Sequence, residues 1–209
     1  MRTIHLSRRT VAAGIPGLVL AACSDIIGPP PAPKLYILRP ALPPPGGPKV
    51  PWALAVAMPS ATAGLDSSRI AITRPPNGMD YYADAAWPDR ATALVQTALV
   101  DAFEATGRIA AVSRETDAVH ADYVLIADLQ DFEARYDQPE GSPTAVVRLD
   151  VRLVNTAGRN IMGHVLVTRE VQATANSVPA AVEALDSALS GVLAETVQWT
   201  LAAAPALKS

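Results

Sequence analysis

The strongest periodic signal in the chain lies between residues 144 and 172. Val147, Leu149, Val151 and Leu153 alternate with Arg148, Asp150 and Arg152, which is the period of a strand with one buried face. After the turn Asn155-Thr156-Ala157-Gly158, the stretch Ile161 to Val171 repeats the pattern, with Val165, Val167 and Val171 on one parity. This spacing predicts an antiparallel hairpin. Slipping it by one residue would drive Arg148 and Arg152 into the core, so the register is expected to be firm. Further strands are predicted at Trp52–Met58 before Pro59, at Ser68–Thr73 before Pro75-Pro76-Asn77-Gly78, at Ile109–Val112 and at Tyr123–Phe132. Two stretches have helical spacing. Ala91, Leu94, Val95, Ala98, Leu99, Ala102 and Phe103 define the first. Pro88 fits its first turn, Asp89 suits its positive end, and Gly107 stops it. The second opens at the cap Ser177 with Pro179 in its first turn, and it buries Val182, Leu185, Leu189, Val192 and Leu193. Strands, helix, strands, helix is the order of an α/β fold. The expected form is a two-layer sandwich, a mixed and mostly antiparallel sheet with two helices packed on one face.

The first fifty residues follow a different logic. Residues 1–9 hold Arg2, Arg8 and Arg9 and no acid, and residues 10–22 are apolar apart from Thr10. Thirteen residues suit a signal-peptide core, whereas a membrane-spanning helix needs about 20. The segment ends in Leu20-Ala21-Ala22-Cys23, which resembles the lipobox of bacterial lipoproteins. Cleavage is expected between Ala22 and Cys23, and the Cys23 thiol is the group soft enough to take a covalent diacylglycerol, followed by an N-acyl chain. The competing reading is a buried free cysteine in an ordinary helix. Ser7-Arg8-Arg9-Thr10-Val11 also resembles a twin-arginine export signal, with a plain positive leader as the alternative. Either route ends at the periplasmic side of a membrane. Ser24 rather than an acid follows Cys23, which favours the outer membrane, with inner-membrane retention as the alternative. Between Ser24 and Pro51 lie ten of the 19 prolines, so an extended spacer is expected. Lys34–Leu38 interrupts it as a short edge strand. The domain layout is therefore a signal peptide at 1–22, a lipidated tether at 23–51, a folded domain at 52–201 and a tail at 202–209.

Charge and composition narrow the chemistry. Removing residues 1–22 leaves 14 basic against 20 acidic residues, a net charge of −6. A nucleic-acid partner is not expected for so acidic a chain. Beyond Cys23 there is no cysteine, so no disulfide is available. Of three histidines only His120 and His164 follow the signal, too few to suggest a metal centre. Three groups merit weighing. Tyr81, Tyr82 and Trp87 could anchor a partner, or staple the first helix to the sheet. Asp80 and Asp84 could pair as catalytic carboxylates, or sit in a solvated loop. His120 and Asp122 could share a strand face as base and orienter, but no nucleophile motif accompanies them. The expectation is a protein with no catalytic residues, metal or cofactor.

Several segments together resemble the ABC-type transport auxiliary lipoproteins, the PqiC-like family. They are the lipobox, Leu35-Tyr36-Ile37-Leu38, Gly64-Leu65-Asp66-Ser67-Ser68-Arg69-Ile70-Ala71, Asp80-Tyr81-Tyr82-Ala83-Asp84-Ala85-Ala86-Trp87, Ser113-Arg114 and Ala121-Asp122-Tyr123-Val124-Leu125. The resemblance implies a non-enzymatic lipoprotein that works with an MCE-domain protein, a permease and an ATPase to move phospholipids or other lipids between two membranes. It implies a bilayer as second partner through Cys23, and leaves homo-oligomers open. The alternative is an outer-membrane scaffold or activator of a cell-wall synthase.

Overall fold

The structure, a computed structural model, describes residues 32–117, 120–138 and 140–204. The signal segment, Cys23 with its cleavage site, and the last five residues of the expected tail lie outside the described residues. In chain order the strands and helices are β1 (Lys34–Leu35), β2 (Val50–Val56), β3 (Ser60–Ala61), β4 (Arg69–Arg74), β5 (Gly78–Ala86), α1 (Ala91–Ala105), β6 (Ile109–Arg114), β7 (Tyr123–Arg135), β8 (Thr144–Asn155), β9 (Asn160–Gln172) and α2 (Val178–Ala203).

Strand β7 organises the single sheet. Along one edge it runs antiparallel to β8, from Tyr123↔Asn155 to Arg135↔Thr144. Along the other it receives three parallel strands in succession: β2 at Tyr123–Leu125, β3 at Asp128–Leu129 and β4 at Glu133–Arg135. Strand β6 flanks β2 in parallel, β5 flanks β4 antiparallel, β1 lies parallel to β5 at the rim, and β9 closes the far side antiparallel to β8. The sheet is mixed, and its longest ladders, β7–β8 and β8–β9, are antiparallel. The expected hairpin forms in the expected register, with Leu149 opposite Val167 and Val151 opposite Val165.

Both helices cover one face. Trp52, Leu54 and Val56 of β2, Leu125 and Leu129 of β7, and Leu149, Val151 and Leu153 of β8 point into the same cluster as Val95, Leu99 and Phe103 of α1 and Leu185, Leu189 and Val192 of α2. Removing this apolar area from water supplies the main driving force, at roughly 25 cal/mol per Å². The buried Gln96 side chain donates to the Val56 carbonyl at 3.0 Å, satisfying a backbone acceptor where β2 ends.

Among the described residues the opposite face carries no helix, and it is dressed with charge. Asp131 pairs with Arg148 at 3.1 Å, and Asp150 takes both Arg152 at 3.3 Å and His164 at 2.9 Å. One irregularity decides which residues reach this face. The β7–β8 register shifts between Leu129 and Asp131, so Gln130 is an extra residue and the alternation changes phase. Before the shift Leu125, Ala127 and Leu129 face the helices. After it Phe132 and Ala134 do, and Asp131, Glu133 and Arg135 turn to the bare face.

Several expectations need correction. The first helix begins at Ala91, so Pro88 and Asp89 precede it and no acid occupies its first turn. A residue from a distant loop does their work: Asp66 accepts from the Thr92 hydroxyl at 2.6 Å and from the Arg90 guanidinium at 2.7 Å. The stretch from Met79 to Trp87 is not a loop. Asp80 and Asp84 are exposed residues of the nine-residue strand β5. The two-residue strand β3 was too short for any periodic signal. Ser177 does cap α2, its side chain accepting from the Ala180 N–H at 3.4 Å.

The proline-rich run is docked from Lys34 onward. Tyr36 and Leu38 pack on the main core. The Arg39 N–H donates to Asp186 at 2.7 Å, the Ala41 N–H to the Ser190 hydroxyl at 2.8 Å, and the Gly46 N–H to the Thr106 carbonyl at 3.1 Å. Asp186, half-buried beneath this strap, has its carboxyl pushed above the ordinary range by burial, against the lowering effect of the Arg39 N–H.

Candidate functional site

The ends of β4 and β7 meet where Pro75-Pro76, joined by a cis peptide, turns the chain toward β5. Between them opens a cleft of about 370 Å³, lined by Thr73, Arg74, Asn77, Glu133, Tyr136 and Asp137 among others. Glu133 is the unusual member, a carboxyl only 8% exposed. The Thr73 hydroxyl donates to its Oε1 at 2.7 Å, and its Oε2 has no hydrogen bond among the described residues. Burial pushes the Glu133 carboxyl up and Asp131 adds to the effect. The Thr73 bond, Arg135 and Arg148 pull it down. An acid in this state favours an incoming N–H donor or cation.

The other charges of the cleft differ in availability. Arg135 is held by Glu170 in a two-pronged pair at 3.0 and 2.7 Å and also meets Asp137 at 3.4 Å. That pair draws the Glu170 carboxyl below its usual range. Arg74 is looser. Its guanidinium lies 5.0 Å from the Tyr136 ring centre and 4.0 Å from Asp80. Tyr136 is rigidly seated, since its hydroxyl donates to Asn176 at 3.0 Å and bonds the Tyr82 hydroxyl at 2.9 Å. Burial and this bond push the Tyr82 phenol up.

The residues singled out from sequence fall in separate places. Trp87 is 2% exposed and packs on Phe132 with ring centres 5.7 Å apart. It is a core staple and offers no surface to a partner. Tyr81 is partly buried, its hydroxyl donating to Gly64 at 3.0 Å, with the Arg69 guanidinium 3.7 Å over its ring. None of the three lines the cleft, and Tyr82 stands behind it, bonded to the Tyr136 hydroxyl. Asp80 accepts from the Tyr81 N–H at 2.8 Å. Asp84 is exposed on β5. His120 and Asp122 do not act together: Asp122 accepts from the Ala53 N–H at 2.8 Å, and exposed His120 precedes the strand. Cys23 lies outside the described residues. Among those residues no cluster of metal-ligating side chains occurs, and no helix is long and apolar enough to cross a membrane. Glu133, Arg74 and Tyr136 were missed because strict alternation puts Glu133 on the parity of Leu125 and Leu129. The available signal was a strand end that carries acid, arginine and tyrosine in Glu133-Ala134-Arg135-Tyr136.

Comparison with known proteins places this architecture. A family model described as the ABC-type transport auxiliary lipoprotein component matches residues 36–197, which spans the strap, both layers and the cleft. An uncharacterized protein of Bradyrhizobium diazoefficiens, bll6063, is 31% identical over 151 residues, and those residues are 72% of this chain but 40% of that protein. The chain thus spans about two fifths of the length of that curated relative. Protein XCC0632 of Xanthomonas campestris, known from a crystal structure, is 32% identical with a TM-score of 0.76, the match covering 81% of this chain and 95% of that one. A second crystal structure, of an uncharacterized protein 12% identical, covers 81% of this chain and 99% of its own with a TM-score of 0.64, and shows the fold alone. By sequence and by fold, the chain belongs to the family of ABC-type transport auxiliary lipoprotein components.

Proposed function

We propose that this chain is a non-enzymatic, membrane-anchored subunit of an ABC-type system that moves phospholipids or other lipids between the inner and outer membranes, working with an MCE-domain protein, a permease and an ATPase. The observation that carries this reading is the family match across residues 36–197. The family is a transport-auxiliary one and not an enzyme family. The anchor in this reading is the acylated Cys23, and two or three acyl chains, at roughly 0.8 kcal/mol per buried methylene, hold far better than one. The docked strap shortens the leash. Only residues 24–33 remain between Cys23 and β1, about 35 Å at full extension. The protein then faces the periplasm, with the outer membrane as the proposed site.

The test is affinity capture of the native protein from membranes. Recovery of an MCE-domain protein with its permease and ATPase is the expected result, and recovery of a peptidoglycan synthase in their place would favour the scaffold reading. A Cys23→Ala variant should leave the membrane fraction and fail to restore a lipid-barrier defect. Retention of that variant in the membrane would remove the anchor from the proposal.

A further inference from the structure

The cleft between β4 and β7 has no assigned ligand, and its chemistry is specific enough to name one. Its wall holds a nearly buried carboxyl with one oxygen bonded to Thr73 and the other without a hydrogen bond among the described residues. Asp137 adds a second acid at the mouth, and Asn77 a side-chain amide. Arg74 lines the same space and is held, among the described residues, by a 4.0 Å contact to Asp80 and by the Tyr136 ring. Arg135, by contrast, is occupied by Glu170. A carboxylate inside and a movable guanidinium at the rim present complementary charges to a small molecule that bears both signs. At about 370 Å³ the space is near the lower end of ligand pockets, which suits a headgroup.

We propose that this cleft binds a zwitterionic ammonium–phosphate ester, of the phosphoethanolamine type, with the ammonium on Glu133 and the phosphate on Arg74. The ammonium half follows from the wall of the cleft; the phosphate half rests on the lipid-transport reading above. The hydrogen-bond chain from the Tyr82 hydroxyl through the Tyr136 hydroxyl to the Asn176 amide oxygen fixes the ring on which Arg74 lies, so the phosphate contact is positioned by groups behind that ring. Binding is coupled to protons. The groups facing Glu133 are Thr73, Asp131, Arg135 and Arg148, with Arg74 and Asp137 across the cleft. An ammonium on Glu133 favours its ionised form, so binding strengthens as pH rises through the raised titration of this carboxyl.

Calorimetric titration of the full chain in detergent tests this with phosphoethanolamine, and with inorganic phosphate, ethanolamine and β-alanine as controls. Phosphoethanolamine should bind at least tenfold more tightly than any control. Glu133→Gln and Arg74→Gln should each weaken it roughly tenfold, the size expected for one charged hydrogen bond. Arg74 is exposed, so its variant keeps the test informative if Glu133→Gln disturbs folding. No binding, equal binding of phosphate or β-alanine, or indifference to both substitutions would overturn the assignment. A short-chain phosphatidylethanolamine below its micellar concentration identifies the source. Binding as tight as the free ester supports the site with a lipid headgroup as its source, and binding of the free ester alone supports it with a soluble one. Failure here with an intact transporter co-purification sinks the cleft and leaves the transport reading; the converse pattern sinks the transport reading alone.

Discussion

A carboxyl walled in as tightly as Glu133 weighs on the folded state at neutral pH. Its folded-state pKa is raised, chiefly by burial, so the native chain binds this proton more tightly than the unfolded chain does. Stability from this group is therefore greatest below the ordinary carboxylate range and falls as pH climbs through the raised value. Gln keeps the acceptor for Thr73 and removes the charge. The Tm of Glu133→Gln relative to the parent should rise between pH 4 and pH 7.5, which thermal melts at the two values will measure. A flat difference would mean that Glu133 is not held in the way described. A stabilising change that weakens headgroup binding is the pattern of a site kept at the expense of the fold.

Elements show which signals in the sequence were sufficient. The β8–β9 hairpin and the capped α2 could be read directly, because alternation, turn and cap all agreed locally. The start of α1 could not. Pro88 and Asp89 are good starting residues, but Asp66 supplies the contacts at the helix end from 26 residues before Thr92. Strand β5 was hidden because most of its residues are exposed or half-buried on both faces, so it lacks a period. At the other end of α1, Gly107 takes φ of +63° with open space around its Cα. Gly107→Ala should cost about 1 kcal/mol through the backbone alone, as urea unfolding will show. The strap makes a separate prediction. The amides of Arg39 and Ala41 should exchange slowly with solvent, and a double Asp186→Ala, Ser190→Ala variant should expose both while amides in β7 stay protected. Slow exchange retained in the variant would mean that Tyr36 and Leu38, and not these bonds, hold the strap.

The whole molecule leans on one strand. Strands β2, β3, β4 and β8 all pair with β7, and both helices share its apolar face, so losing β7 breaks the sheet into the separate groups β2–β6, β1–β5–β4 and β8–β9. Unfolding followed by Trp fluorescence and by far-ultraviolet circular dichroism should trace one coincident transition. Separate midpoints would show that the β8–β9 hairpin with α2 survives alone. The layers and helix count could be read from the sequence, because they depend on sums over many residues. The cleft could not, because Arg74 and Glu133 are far apart in the chain and meet only after β4 has docked.

The extra residue at Gln130 acts as a phase shifter. Were Gln130 drawn into the ladder as an ordinary paired residue, the strand would be more regular, yet its last third would be inside out. Glu133 and Arg135 would be thrust among the leucines of α2, and Phe132 would be left in water. The position with no partner across the ladder thus sets which residues beyond it meet oil and which meet solvent.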